Sequence, residues 1–243
     1  MEKDISFPAH DGKTIYATYN KTASEKCRGL IIYAHGLPSN RNDYTYLQSA
    51  RLFTKKGYDT LRISFYDWQK NARNLKDCGF EEHAHDLETT IKKFKSKYKR
   101  IYLIGHSWGG PTILQTSMNG IAAVSLWDPS YNVPFWWDAC FRKEGKYIFL
   151  TGPCDAILSP RMHAAAQSLD YAKCEALARR FSTPLQVLHA KKNGRLYKFK
   201  KSYHTHAAGP TDYHLIAEAD HCFLDEIALK KAIQHTHNWF KKF

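Results

Sequence analysis

The chain has 243 residues, a hydrophobic fraction of 43% and a formal net charge of +13, enough length to bury the core of one domain. The N-terminus is charged within its first four residues, and no stretch approaches the roughly 18 apolar residues of a membrane span, so neither a secretory leader nor a transmembrane helix is expected. The densest basic run, Lys191, Lys192, Arg195, Lys198, Lys200 and Lys201, interleaves with Tyr197 and Phe199 but carries no recognisable nucleic-acid motif. It reads as a solvated basic face, with no specific nucleic-acid partner. The six cysteines form no C-x-x-C pair and read as reduced thiols of a cytoplasmic protein.

In chain order, ISFPAHDGKTIYATYN reads as two strands joined by a turn at Asp11-Gly12, a strong hairpin signal. RGLIIYAHG is a continuous apolar run ending at His35-Gly36, the pattern of a central parallel strand. Asn42 to Lys56 carries apolar residues at helical spacing and stops at Gly57, a C-cap residue. DTLRISFY follows as a strand, then Phe80 to Lys97 as an amphipathic helix with Leu87, Ile91 and Phe94 on one face. The run RIYLI predicts a buried strand, PTILQTSMN a helix to about Asn119, and IAAVSLWD another strand. Residues 129–183 interrupt the alternation with PSYNVPFWWDACF, a strand in KYIFL and one helix through RMHAAAQSLDYAKCEALARRF. LQVLHA and YHLIAEA are the last strands, and Ile227 to Phe243 the last helix, with Asp225 as its N-cap. Strands alternating with helices imply βαβ units, a mostly parallel sheet and a site at the strand C-termini.

Between the RIYLI strand and the helix after it stands Gly105-His106-Ser107-Trp108-Gly109, followed by Gly110. A G-x-S-x-G in a strand–turn–helix context is a nucleophile elbow: the turn leaves no room for flanking side chains and thrusts the serine outward. Ser107 is therefore a candidate nucleophile. A serine hydroxyl needs a base to take its proton during attack, and His221, at a strand end late in the chain, is placed for that task.

With HG at 35–36, GHSWGG at 105–110 and ADHCF at 219–223, the chain resembles the α/β-hydrolase superfamily, specifically its small single-domain esterases and lipase-like hydrolases. The resemblance implies an α/β fold with a mostly parallel central sheet flanked by helices, and a cap-like insertion at 129–183. It implies oxyanion donors from the backbone of Leu37 and Trp108. Many relatives place the acid just after the strand that here reads LQVLHA, where this chain has KKNGR and Asn193. Asp128, after the strand that follows the elbow helix, occupies the alternative location and is favoured over Asp155 and Asp212. With its loop diverged, position 193 need not face His221, and Asn193→Asp is expected to restore little.

His35, Tyr131, Phe135, Trp136 and Trp137 are candidates for an apolar acyl pocket, the cap aromatics being equally readable as packing against the sheet. The H-x-H pairs at 83/85, 204/206 and 235/237 lack a third ligand at a motif spacing, so neither metal nor other cofactor is expected. The resemblance points to a serine hydrolase, a carboxylesterase for a small or medium acyl ester. Thioesterase or acyltransferase chemistry on the same triad, and a non-catalytic binding protein of this fold, are the alternatives.

Overall fold

The N-terminal hairpin forms as its Asp-Gly turn requires: β1 (Glu2–Pro8) pairs antiparallel with β2 (Thr14–Asn20), and Gly12 takes a φ of 79° in the turn. The structure, a computed structural model, describes residues 2–151, 155–194 and 202–243. Cys154 and residues 195–201 of the basic run lie outside the described residues. After the hairpin come β3 (Leu30–Ala34), α1 (Tyr44–Lys55), β4 (Asp59–Ser64), α2 (Phe80–Phe94), β5 (Ile101–His106), α3 (Gly109–Gln115) and β6 (Ile121–Trp127). The segment 129–183 holds a short helix α4 (Pro134–Trp137), the strands β7 (Phe141–Glu144), β8 (Tyr147–Leu150) and β9 (Ala156–Leu158), and the helices α5 (Pro160–Ser168) and α6 (Tyr171–Arg179). The chain closes with β10 (Leu185–Ala190), β11 (Thr211–Ile216) and α7 (Glu226–Phe240).

Among the described residues eight strands make one sheet in the order β1-β2-β4-β3-β5-β6-β10-β11. The two pairings of β2 are antiparallel, and every pairing from β4 to β11 is parallel. Alternation along β3 divides the core between the two faces. Leu30, Ile32 and Ala34 join the cluster under α2, α3 and α6, whereas Ile31 and Tyr33 join the cluster under α1 and α7. Strand order reverses at β3, so the carboxyl ends of β3 and β5 open a crevice between the loops that diverge there.

Three expected elements differ. The elbow helix stops at Gln115 rather than near Asn119, and Thr112 and Thr116 hydrogen-bond back to the Trp108 and Thr112 carbonyls in its last turns. The single helix expected over 161–181 is two, because Asp170 leaves the helix and caps the next one, accepting from the Lys173 amide at 2.8 Å. The KYIFL strand is the centre of a second, antiparallel sheet, β7-β8-β9, whose outer strands the sequence did not announce.

Candidate active site

Directly after β5, Ser107 has a φ of 52°, a left-handed conformation that a non-glycine residue keeps only when its surroundings hold it. They do so through the backbone: its N–H donates to the Trp127 carbonyl at 3.1 Å, and its carbonyl accepts from the Gly110 and Ser130 amides at 3.0 and 2.9 Å. The flanking glycines are required by close approach. A Cβ at Gly109 would land on the Ala34 carbonyl oxygen, and one at Gly105 would come within 2.7 Å of Ile113 and 2.8 Å of the Gly109 carbonyl.

Ser107 Oγ lies 3.0 Å from His221 Nε2, and His221 Nδ1 lies 2.7 Å from Asp128 Oδ2. The three residues stand on three strand ends, after β5, β11 and β6. The geometry fixes the tautomer: a carboxylate only accepts, so Nδ1 carries the proton and Nε2 is left to accept from the serine. Asp128 is fully buried and receives four donors. His221 Nδ1 and Asn193 Nδ2 (2.6 Å) meet Oδ2, while His189 Nδ1 and the Ala190 amide meet Oδ1, each at 3.1 Å. Burial alone would raise this carboxyl's pKa, but the hydrogen bonds and positive fields of His189 and His221 outweigh burial and hold it below the usual carboxylate range.

Position 193 does face His221, which its diverged loop did not require. Asn193 Nδ2 is 3.1 Å from His221 Nδ1, both donors converging on the same carboxylate oxygen. Asp155 instead pairs with Arg142 at 2.5 Å on the second sheet, and Asp212 accepts from Gln186 and faces His214. Neither meets His221.

A second set of contacts, missed in the sequence, ties the surrounding loops together. The Gly36 amide donates to the Tyr46 hydroxyl (3.2 Å), and that hydroxyl donates to His106 Nδ1 (2.7 Å). The other His106 nitrogen, Nε2, donates to the His221 carbonyl at 2.6 Å. Burial pushes the His106 pKa down to about 3, with the nearby His221 charge acting in the same direction, so the ring is neutral and can make both bonds. Thr45 adds a hydrogen bond from its hydroxyl to the Cys222 carbonyl. Tyr46→Phe is expected to leave His106 Nδ1 and the Gly36 amide buried without partners, at a cost of about 1–3 kcal/mol in unfolding free energy. Urea denaturation checks this, and an unchanged midpoint would mean the hydroxyl does not tie the loops.

Beside Ser107 lies a cavity of about 250 Å³, walled by residues 36–39 and 43–46 and by His106, His221, Cys222 and Leu224. None of the five residues expected to form a pocket lines it. His35 is buried and serves the loop instead, its Nε2 accepting from the Phe65 amide at 3.0 Å and its Nδ1 donating to the Gly36 carbonyl at 2.9 Å. Tyr131 packs edge-on against Tyr171 and Tyr203, and Trp136 Nε1 donates to the Tyr131 carbonyl. Trp137 Nε1 donates to His163, and Phe135 is exposed. These aromatics pack their own segment rather than the cavity. Leu37 lines the cavity beside Ser107, and Trp108, next after the serine, has its ring buried against Phe80 at 4.7 Å between centroids.

The H-x-H pairs separate into packing contacts. His83 stacks on Phe65, His204 on Tyr213 and His235 on His214, while His85 lies edge-on to His10, His206 faces Glu175 at 3.0 Å and His237 lies edge-on to Tyr58. Among the described residues no group of three or more His, Cys, Asp or Glu side chains is arranged to hold a metal. Among the same residues no helix is long and apolar enough to cross a membrane.

A mostly parallel sheet with helices on both faces and a strained serine between its central strand and the next helix make up the α/β-hydrolase fold. Residues 29–138 match the family described as alpha/beta hydrolase fold. No curated protein sequence matches the chain. Among solved structures, the esterase domain from a Rhodothermus marinus protein superposes with a TM-score of 0.78 at 16% identity, covering 100% of this chain and 98% of that one. Est1E from Butyrivibrio proteoclasticus, solved with ferulic acid bound, gives 0.79 at 16% identity over 98% and 99%. Alpha/beta hydrolase domain-containing protein 10 from mouse gives 0.74 at 13% identity over 99% of both chains.

Proposed function

We propose that the chain is a serine hydrolase, a carboxylesterase that cleaves a small or medium acyl ester through an acyl-enzyme. The observation that carries this reading is the relay from Ser107 Oγ through His221 to Asp128, with contacts of 3.0 and 2.7 Å. In the first half-reaction His221 Nε2 takes the hydroxyl proton as Ser107 Oγ attacks the carbonyl carbon, then returns it to the leaving alcohol. Water repeats the sequence on the acyl-enzyme and frees the acid. Asp128, ionised and fully hydrogen-bonded, orients the imidazole and stabilises its charged form. The Leu37 and Trp108 amides receive the oxyanion; losing one such donor costs on the order of 3 kcal/mol of barrier in a related arrangement.

The mainly apolar cavity of about 250 Å³ supports a substrate whose bound portion is small. The esterase descriptions of two structural neighbours support the ester as the bond cleaved. Residues 129–183 act as a cap on a single hydrolase domain, packing on α2 and α3 beside the elbow.

The test is labelling with a fluorophosphonate followed by a series of p-nitrophenyl esters of graded chain length. Labelling that is lost in Ser107→Ala, with turnover highest for the shorter acyl groups, is the expected result. A folded protein that the probe does not label would make it a non-catalytic member of the fold.

A further inference from the structure

We propose that the end of the sheet opposite Ser107 carries a second binding site, for a compact polyanion bearing two or more phosphate groups. The site stands apart from the triad and does not rest on the esterase reading. Arg100 precedes β5 and Ser107 follows it, with 6 strand residues between them, or about 20 Å.

A helix between two parallel strands runs back along the sheet, so α1 and α2 end where β4 and β5 begin. There a hollow of about 660 Å³ is lined by Lys26, Arg28, Lys55, Lys56, Arg100 and His237. A smaller one of about 180 Å³ shares Arg28 and Arg100 and adds Lys241 and Lys242 from the end of α7. The backbone holds the two arginines side by side. The Leu30 amide donates to the Arg100 carbonyl at 3.0 Å, and a Cβ at Gly29 would come within 2.6 Å of that oxygen. Arg28 Nε donates to the Lys56 carbonyl at 3.1 Å, which fixes the stem of a guanidinium whose two other nitrogens are further donors.

Helix dipoles account for only part of this charge. A helix C-terminus favours a cation in its last turn, as Lys55 provides for α1, but Lys26, Arg28 and Arg100 belong to the loops before β3 and β5. Nor are these cations spent on acids. Arg41, Arg62, Arg73, Arg142, Arg161 and Arg179 each meet a carboxylate. Among the described residues no ion pair uses the five cations of the larger hollow or the two added by the smaller. Glu25 is exposed in the loop before Lys26, and Asp59, at the start of β4, is engaged by Tyr19, Tyr98 and the Thr22 amide. The fields converge on His237, where burial and then Lys56, Arg28 and Lys241 push the pKa down to about 4. Like charges crowded around a hollow oppose folding, and a bound anion removes that repulsion. Arginine forks match phosphate oxygens bidentately and lysines add point charges, so the cluster fits several phosphates better than a lone carboxylate.

The experiment measures tripolyphosphate binding to the full-length protein by calorimetry in about 0.15 M salt, where charges more than about 8 Å apart are largely screened. A single saturable site and a raised melting temperature are expected. Arg28→Ala and Arg100→Ala are each expected to weaken binding by about 10-fold or more, through loss of charge-assisted hydrogen bonds. Lys55→Ala and Lys241→Ala, at exposed positions, make the same comparison should the arginine variants fail to fold. Lys92→Ala/Lys95→Ala removes two exposed charges outside the hollow and is expected to change little. On binding, the His237 ring is expected to titrate higher, from about 4 towards its ordinary value. A second arm offers phosphatidylcholine vesicles carrying phosphatidylinositol bisphosphate. Vesicle binding that tripolyphosphate displaces assigns the site to a lipid headgroup, and any other vesicle result assigns it to a soluble polyphosphate. No tripolyphosphate binding at that salt, or equal weakening in Lys92→Ala/Lys95→Ala, overturns the site. Tighter binding of an RNA duplex that every variant weakens alike also overturns it, in favour of a diffuse nucleic-acid surface.

Discussion

Ser107→Ala and His221→Ala are each expected to remove nearly all ester hydrolysis, on the order of 10⁶-fold in turnover, and the double variant is expected to be hardly worse. The reason is that the two side chains form one unit. With Ser107 Oγ at 3.0 Å from His221 Nε2, the hydroxyl is nucleophilic only while the imidazole can take its proton, and the imidazole has no other proton to take. Once either is gone, what remains is substrate binding and the backbone around the serine, which both single variants and the double share. Neither substitution is expected to unfold the protein: the strained φ at Ser107 is held by backbone hydrogen bonds that alanine keeps, and the His221 ring is partly exposed. Single-turnover rates with thermal melts as a folding control make the comparison. Losses that multiply in the double variant would show two independent contributions and dissolve the triad.

Much of this site could be read in the sequence because each part has a local signature. The elbow is contiguous, and the glycines at 105 and 109 are present because a Cβ cannot be accommodated there. His35-Gly36 and Asp220-His221 end runs of strand pattern, so their place at the carboxyl edge followed from the alternation of strands and helices. What stayed hidden depends on contacts between distant segments. Asn193 meets Asp128 across 65 positions and Tyr46 meets His106 across 60, and neither residue type announces such a partner. His189 looked like one more member of the LQVLHA strand, although its Nδ1 shares Asp128 with His221.

Segment 129–183 was the least legible. Phe141–Glu144 is short and polar beyond its first residue, a pattern that an outer strand of a small sheet shares with a loop. The helix break at Asp170 has no Gly or Pro; it depends on one side chain capping the next helix. The aromatic run from Tyr131 to Trp137 is as apolar as a pocket wall, and only the observed contacts show that it packs on its own neighbours.

Acid is expected to unfold this protein above pH 4, because its loops are held by histidines that must stay neutral. His35, His83 and His106 are buried, and burial lowers all three pKa values, to about 4 for His35, to about 3 for His106 and well below the ordinary 6.5 for His83. In the unfolded chain each titrates near 6.5. The unfolded state therefore binds the extra protons, so the stability they confer is complete above pH 6.5 and is lost as pH falls from 6.5 towards 4. Asp86 works in the opposite sense. Burial pushes its carboxyl up to about 7 against the pull of Arg73, so it takes up a proton while folded and offsets about one of the three. Two net protons correspond to a slope of about 2.7 kcal/mol per pH unit. Between pH 6 and 4.5 that amounts to about 4 kcal/mol, a large share of the ~5–15 kcal/mol that holds a typical domain folded. Urea midpoints measured from pH 7.5 down to 4 are expected to stay nearly level to pH 6.5 and then fall steeply. A midpoint that holds level to pH 5 would mean that these rings take up protons without unfolding the loops they tie.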